Sequence, residues 1–156
     1  MQDVIAKLRA KKDDEGFTLI ELLVVVVIIG VLVAIAVPVY LNYRQGAADK
    51  SAQSDVRGAI SAVEQFYTNN GNAYPASDSE ESGTASELVL PALSASGSEA
   101  KITLSDKTKL AYVKVNAGSY KICATNDGGS GKFYMYDSST GGSVKTVTIK
   151  ALASCS

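Results

Sequence analysis

The sequence contains no histidine and no tryptophan, and among its 156 residues there are only three prolines and two cysteines. Without histidine, the chain lacks the side chain that most often transfers protons in enzymes and binds metals in proteins. It also lacks the Gly-x-Ser-x-Gly nucleophile motif, the P-loop motif and the Gly-x-Gly-x-x-Gly nucleotide-binding motif. We therefore predict that the protein is not an enzyme and uses no cofactor.

Metal and nucleic-acid sites also lack support. Cys123 and Cys155 are too far apart for a CxxC redox motif or a zinc finger. With 15 basic and 16 acidic residues, the chain has no basic excess that would favour nucleic acid. The glycine-rich segment 126–131 could wrap a calcium ion, but only one of its side chains is a carboxylate. We predict no metal site.

Charge is absent from Leu22 to Leu41, a run of twenty residues. As a helix, this run would cover roughly 30 Å, which is the thickness of the hydrocarbon core of a bilayer. The preceding leader carries both basic and acidic residues, and Ala34-Ile35-Ala36 resembles the cleavage site of an ordinary secretory signal. Either a membrane anchor or a conventional signal would account for these features.

Glu21 argues against both of these simple interpretations. A carboxylate at the head of an apolar helix is costly in a membrane, and a plain anchor gains nothing from it. Cleavage between Gly16 and Phe17 would create a positively charged amine at Phe17, which is complementary to Glu21 within one helix or between staggered helices. The hexapeptide from Gly16 to Glu21 (Gly-Phe-Thr-Leu-Ile-Glu), followed by the apolar run, resembles the class III signal of type IV pilins and the related pseudopilins.

This resemblance implies a processing route and a set of partners. A prepilin peptidase would remove residues 1–16 and methylate the amine of Phe17. An inner-membrane platform protein and an assembly ATPase would then build a helical homopolymer, with Glu21 of one subunit paired with the Phe17 amine of its neighbour. The protein would span the cytoplasmic membrane once before assembly and form an extracellular surface filament afterwards. The acidic residues directly before Gly16 depart from the family pattern, which usually has a base there.

Hydrophobic periodicity predicts one long helix from about Thr18 to Asn70. Residues 17–41 form its transmembrane or filament-core half and residues 42–71 its amphipathic half, with Gly71 as a left-handed cap. Gly30 and Pro38 are the places where it could bend or break; in related filaments, the segment near this proline is locally unwound. The apolar stripe of the amphipathic half is Ala47, Ala52, Val56, Ala59, Ile60, Val63, Phe66 and Tyr67.

The rest of the chain predicts an α+β pilin fold. Residues 72–100 are acidic and rich in Ser, Gly and Ala, and we predict a helix-to-sheet loop with a helical turn near residues 86–90 and a buried Tyr74. Residues 101–156 predict a four- to five-stranded antiparallel meander, which forms a one-sided sheet packed against the amphipathic half of the helix. The predicted strands are 101–105, 110–116, 119–125, 132–137 and 143–150, and the predicted core residues are Val113, Val115, Ile122, Phe133, Met135, Val147 and Ile149.

Export and an even cysteine count favour a disulfide between Cys123 and Cys155, with a buried pair of free thiols as the alternative. This bond would pin the C-terminal tail to a middle strand, as the disulfide region does in many pilins.

The charges of the exported part are unevenly placed. Residues 72–100 contain five acids and no base, whereas residues 101–156 contain eight lysines and three acids. We predict that the acidic loop of one subunit approaches the lysine-rich sheet of another, with neutralisation inside one subunit as the alternative. A weaker hypothesis is that the lysines bind DNA together with Tyr112, Tyr134 and Tyr136.

Two other functions remain open from the sequence. A pseudopilin of a type II-like secretion system would have the same N-terminal half and would form only a short filament. A signal-anchored monomeric binding domain would keep Met1 or begin after Ala36, and Glu21 would then be incidental.

Overall fold

The computed structural model describes residues 17–155. The predicted leader, including Gly16, lies outside the described residues. The chain divides into two compact units between Tyr40 and Leu41. Helix α1 (Leu19–Asn69) runs through this boundary without interruption at Gly30 or Pro38. The predicted long helix is therefore confirmed to within one residue at each end, and unwinding near Pro38 stays a prediction for the assembled filament.

The first unit, as far as it is described, is residues 17–40 and consists almost entirely of the apolar half of α1. All of these residues are exposed. By length and composition alone, α1 is the one described helix that could cross a membrane. An apolar helical surface this exposed is stable only in lipid or against other apolar helices, since its side chains are otherwise left in water.

The second unit contains a five-stranded antiparallel sheet in the order β1-β4-β5-β6-β7. The strands β4 to β7 follow one another as a meander, and β1 pairs with the free side of β4. A separate two-stranded sheet is formed by β2 and β3. The strand bounds are β1 Asp78–Glu80, β2 Glu87–Leu90, β3 Ala100–Thr103, β4 Thr108–Asn116, β5 Ser119–Asn126, β6 Phe133–Asp137 and β7 Lys145–Val147.

The acidic segment 72–100 differs from the prediction. It contains β1 and β2, whereas a loop with a helical turn near residues 86–90 was expected. The helical turn is wrong because Leu88 and Leu90 alternate toward the core while Glu87 stays exposed, a period of two that only a strand provides. The predicted strand at 101–105 exists as β3, but it pairs with β2 instead of joining the main sheet.

The main core lies between α1 and the inner face of the sheet. The predicted helical stripe is confirmed where it matters most, because Ala52, Val56, Ala59, Val63 and Phe66 are fully buried. The sheet contributes a different set from the one predicted: only Ile122 of the predicted residues belongs to this core. The other main-sheet members are Leu110, Tyr112, Tyr120, Ala124 and Tyr134.

A second, smaller core covers the outer face of the sheet, so the prediction of a one-sided sheet is wrong. The C-terminal tail, with a 3₁₀ turn at Leu152–Ser154, folds back over β4 and β5. The disulfide between Cys123 and Cys155 holds it there, with a Cα–Cα distance of 6.0 Å. Val113, Phe133, Met135 and Ile149 pack partly buried in this outer core, whereas Val115 is 50% exposed and belongs to neither core.

The end of α1 is formed by local backbone chemistry. Gly71 adopts φ +68°, as predicted, and Asn72 follows at φ +59°. This left-handed turn lets the N–H of Asn72 donate to the carbonyl of Tyr67 at 3.0 Å. The chain then turns back along the helix, which brings the predicted Tyr74 into the core with 9% exposure.

Candidate assembly site

The N-terminus of α1 is closed by a reciprocal pair of hydrogen bonds between Thr18 and Glu21. The carboxylate of Glu21 accepts from the N–H of Thr18 at 2.8 Å and from its hydroxyl at 2.6 Å. In return, the Thr18 hydroxyl oxygen accepts from the N–H of Glu21 at 3.3 Å. This is a capping box, in which residues at the N-cap and N3 positions satisfy backbone donors that the helix leaves unpaired.

The capping box orients the Glu21 carboxylate. Because the carboxylate bonds to the amide of Thr18, it points back toward the chain N-terminal to the helix and lies next to residue 17. Phe17 itself is 81% exposed. The structure therefore places the two predicted assembly residues, Phe17 and Glu21, at the same end of the helix. Cleavage between Gly16 and Phe17 stays a prediction.

Sequence reasoning missed the capping box, although its signal is present. Thr18-Leu19-Ile20-Glu21 fits the pattern Ser/Thr-x-x-Glu ahead of an apolar run. The box gives Glu21 a local structural role in addition to the role in assembly that was inferred from its cost in a membrane.

Two acids of the amphipathic half hold sheet loops against α1. Asp55, which is buried, accepts from the N–H and the hydroxyl of Ser105, both at 2.9 Å. Asp49 makes the same pair of bonds with Ser130, at 3.0 Å to the N–H and 2.6 Å to the hydroxyl. Each serine presents two donors to one carboxylate, and these bonds to a charged acceptor are stronger than neutral ones. They position the β3–β4 and β5–β6 connections on the helix.

A third helix acid, Glu64, reaches a cluster of tyrosines. Its carboxylate accepts from the hydroxyl of Tyr120 at 2.6 Å and from that of Tyr74 at 3.4 Å. The rings of Tyr74 and Tyr120 are tilted by 58° with centroids 4.9 Å apart, and Tyr112 packs on Tyr120 with centroids 5.7 Å apart. Burial raises the pKa of Tyr120, and its bond to Glu64 raises that pKa further. The pKa of Tyr112 is also raised, chiefly by burial.

In the glycine-rich turn 126–131, the side-chain oxygen atoms of Asn126 and Asp127 bond to other groups of the protein. The side chain of Asn126 donates to the carbonyl of Asp106 and to the Thr108 hydroxyl, and it accepts from the N–H of Gly128. The carboxylate of Asp127 pairs with Lys109 at 2.9 Å. Across residues 17–155, no cluster of three or more acidic or cysteine side chains is placed to hold a metal ion.

The positions of surface charges and of aromatic side chains bear on two predictions, the contact between subunits through opposite charges and the binding of DNA. Lys101 lies 3.7 Å from both Glu87 and Glu99, so part of the acidic segment is neutralised within the subunit. Tyr112 and Tyr134, which the DNA hypothesis placed on the surface, are buried, and Tyr136 is half-buried. Buried rings cannot stack on nucleic-acid bases, so this aromatic contribution to DNA binding is wrong.

Known proteins resemble the chain chiefly at its N-terminus. Residues 11–37 match the family model described as the prokaryotic N-terminal methylation motif. A type IV major pilin protein of Neisseria gonorrhoeae is 44% identical over 57 residues, which are 36% of this chain and 34% of that pilin. A fimbrial protein of Eikenella corrodens is 41% identical over 61 residues, covering 39% of this chain and 40% of that protein. These matches span well under half of the relatives' own length.

One similarity extends into the sheet domain. The type II secretion system core protein G of Escherichia coli is 31% identical over 116 residues, which are 72% of this chain and 79% of that protein. No solved structure shows a significant match to the chain. The relatives are named as pilins, fimbrial proteins and a secretion-system component, and none of these names is that of an enzyme.

Proposed function

Since this chain belongs to the family of pilin-like proteins that carry the N-terminal methylation motif, which includes type IV pilins and type II secretion pseudopilins, we propose that it is the structural subunit of a type IV pilus filament. The subunit has no catalytic role. It waits in the cytoplasmic membrane with residues 17–41 in the bilayer and its sheet domain outside, and it then joins an extracellular filament through the same helix.

The observation that carries the proposal is an apolar helical half with one carboxylate at its head. From Leu22 to Leu41 the helix offers only uncharged, exposed side chains. Lipid covers such a surface before assembly, and the helices of other subunits cover it afterwards, so extraction from the membrane loses little apolar contact. Glu21 then determines how neighbouring helices are aligned, because a charge buried away from water is stable only next to a group of opposite charge.

The partner that we propose is the amine of Phe17 in a neighbouring subunit. A prepilin peptidase cleaves between Gly16 and Phe17 and methylates the new amine, which remains positively charged. The capping box already turns the Glu21 carboxylate toward this end of the helix. An incoming helix that is shifted along its neighbour by about one turn brings its Glu21 opposite the Phe17 amine of that neighbour. Apolar contacts along the rest of the helices supply most of the cohesion.

The remaining partners follow from the family. We propose that the peptidase, an inner-membrane platform protein and an assembly ATPase act on this subunit, and that its main partner is itself. Twitching, adhesion and DNA uptake are roles that a filament of this kind can serve. The buried tyrosines of the sheet give no support for a direct contact with DNA.

A pseudopilin of a type II-like secretion system is the second candidate. The observation that favours it is the similarity to the secretion core protein G, which covers 72% of this chain and reaches the sheet domain. The disulfide-fixed tail and the long 72–100 segment favour a true pilin. Long fibres on the cell surface distinguish the two, because a pseudopilin filament stays short within the envelope.

The first experiment determines the N-terminal residue and mass of the protein in material sheared from the cell surface. We expect a chain that begins with methylated Phe17 and has lost two hydrogens in the disulfide. A chain that keeps Met1, or begins after Ala36, and stays in the membrane would instead identify a signal-anchored monomer. Processed protein without sheared fibres would favour the pseudopilin.

A further inference from the structure

A groove lies on the outer face of the sheet between strand β1 and the C-terminal tail. Its floor is apolar and includes Ala111 and Val113 of β4 and Leu152 of the tail, while Asp78 and Glu81 lie at its rim. The groove has a volume of about 330 Å³ and adjoins a second cleft of about 400 Å³ at Glu81 and Leu152. An apolar floor beside carboxylates fits a side chain with an aliphatic stem and a positive end.

The two rim acids have no basic partner within residues 17–155. Asp78 accepts only the neighbouring N–H of Ser79, and Glu81 makes no salt bridge. Lys109 lines the adjoining cleft, but its ammonium group is bound to Asp127 at 2.9 Å. The groove therefore keeps uncompensated negative charge on an exposed edge of the subunit.

The opposite edge of the same sheet carries the complementary charge. Strand β1 is one edge of the five-stranded sheet and β7 is the other. Lys145 in β7 is exposed and makes no salt bridge within the described residues, and from residue 138 to residue 155 the chain contains lysines but no acid. The stem of a lysine buries well on an apolar floor while its ammonium group stays at the polar rim.

We propose that the groove between β1 and the C-terminal tail receives Lys145 from the β7 edge of a second copy of this chain, with the ammonium group at Asp78 and Glu81. This inference rests on the proposed filament. A contact that joins two different edges is head-to-tail, so it does not close on itself and repeats from subunit to subunit along a helical array. Lys101 is already paired with Glu87 and Glu99, so the lysine of the small β2–β3 sheet is a weaker candidate than Lys145 for this contact.

Chemical cross-linking of intact wild-type fibres tests the contact directly. A water-soluble carbodiimide activates a carboxylate, and a lysine amine in contact with it then forms an amide while the carbodiimide, hydrated to a urea, leaves. A cross-link therefore forms only where the two groups are in contact. We expect a covalent dimer in which the peptide containing Lys145 is joined to the peptide containing Asp78 and Glu81. Dimers joined only at other sites would overturn the proposal, although the fibres themselves would still support the proposed function.

Charge reversal gives an independent test in the full-length chain. Glu81→Lys and Lys145→Glu should each lower the yield of shear-resistant fibres roughly tenfold at low salt, since each places like charges together. The double variant should recover most of the wild-type yield. Glu99→Lys is the matched control, because Glu99 lies directly before β3 and outside the groove, and this variant should stay near wild type.

An intact disulfide on non-reducing gels shows that each variant is folded. A double variant no better than the single variants would overturn the contact. A wild type that forms no fibres would overturn the filament proposal and this inference together.

Discussion

At the scale of single residues, Glu21 has two roles that are separable by mutation. It caps its own helix through Thr18, and in the proposed filament it neutralises the amine of Phe17 in a neighbour. Glu21→Gln keeps an oxygen acceptor for the cap but removes the negative charge. We expect this variant to be expressed and inserted in the membrane as wild type, while surface fibres fall below detection, because the amine loses its only counter-charge in the bundle.

The measurement compares sheared fibres with the membrane fraction on the same blot. Thr18→Ala is the complementary variant, since it removes the hydroxyl contacts of the cap and keeps the charge, and it should still assemble. Normal fibres from Glu21→Gln would show that the charge pair does not drive assembly.

Asp55 gives a second prediction at this scale. Asp55→Ala leaves the N–H and hydroxyl of Ser105 without their acceptor at a part-buried site, so we expect a loss of about 1–3 kcal/mol in the free energy of unfolding. Asp78→Ala is the matched control because Asp78 is exposed and bonds only to its neighbour Ser79, and it should change stability by less than about 0.5 kcal/mol. Urea unfolding of the full chain in detergent measures both, and equal values for the two variants would contradict the prediction.

At the scale of elements, the C-terminal tail is held to the sheet by the disulfide and by the small outer core that Leu152 and Ile149 join. Leu152 is its main buried side chain, and the tail has no long ladder of backbone hydrogen bonds. The disulfide spans 32 residues. In the chain-entropy model, removing it with the pair Cys123→Ala and Cys155→Ala should cost roughly 3.5–4 kcal/mol. The α1-facing core should remain folded because it does not include either cysteine.

Urea unfolding of the double variant, beside oxidised and reduced wild type, checks this expectation. Reduced wild type should match the variant. A loss of stability below about 1 kcal/mol would contradict this expectation. It would mean that the tail stays packed without the bond, or that strain in the native state or residual structure in the unfolded chain offsets the entropic effect.

The elements that could be predicted from the sequence have local sequence signals, whereas the elements that were missed depend on strand pairing. Helix α1 and strands β4 to β6 have long periodic patterns and turn residues at their ends, and these are local signals. Strands β1 and β2 are three and four residues long and lie in a Ser- and Gly-rich segment. Strand β1 pairs with β4, which lies about 30 residues further along the chain, so its identity depends on a distant pairing that no local pattern encodes. Strand β2 pairs with the nearby β3, and its alternation over four residues is too short to outweigh a helical turn in sequence reasoning.

The choice of sheet face was missed for a related reason. Alternation shows which residues of β4 share a face, but not which face meets the helix. Val113 and Val115 are the more hydrophobic set, yet Leu110 and Tyr112 belong to the core that includes the α1 residue Phe66. Val113 packs in the outer core with the tail instead, and Val115 is exposed. Because the tail covers the outer face of the sheet, both faces of β4 carry apolar residues. Hydrophobicity therefore does not show which face meets the helix.

At the scale of the whole molecule, the proposed assembly residues were inferred from a motif, and their proposed use depends on cleavage after Gly16. In the proposed filament, only cleavage between Gly16 and Phe17 produces the amine that pairs with Glu21, so we expect the chain to be a membrane protein before cleavage and a filament subunit after it. A larger side chain at residue 16 should prevent cleavage by crowding the peptidase site. We expect Gly16→Ile to accumulate at full length in the membrane and to form no fibres.

Gly30→Ala is the matched control for this prediction. A Cβ added at Gly30 meets no atom within 4 Å in the single subunit, and alanine favours a helix more than glycine does, so this variant should be inserted in the membrane and cleaved normally. Mass spectrometry of the membrane fraction measures cleavage, and a non-reducing gel shows whether the disulfide has formed and the sheet domain has therefore been exported and folded. If Gly16→Ile is uncleaved but has an intact disulfide, its sheet domain has been exported and folded, so the defect lies in assembly and not in export. Fibres built from uncleaved chains would mean that subunits associate without the Phe17 amine, and cohesion would then come from the apolar helix surface alone.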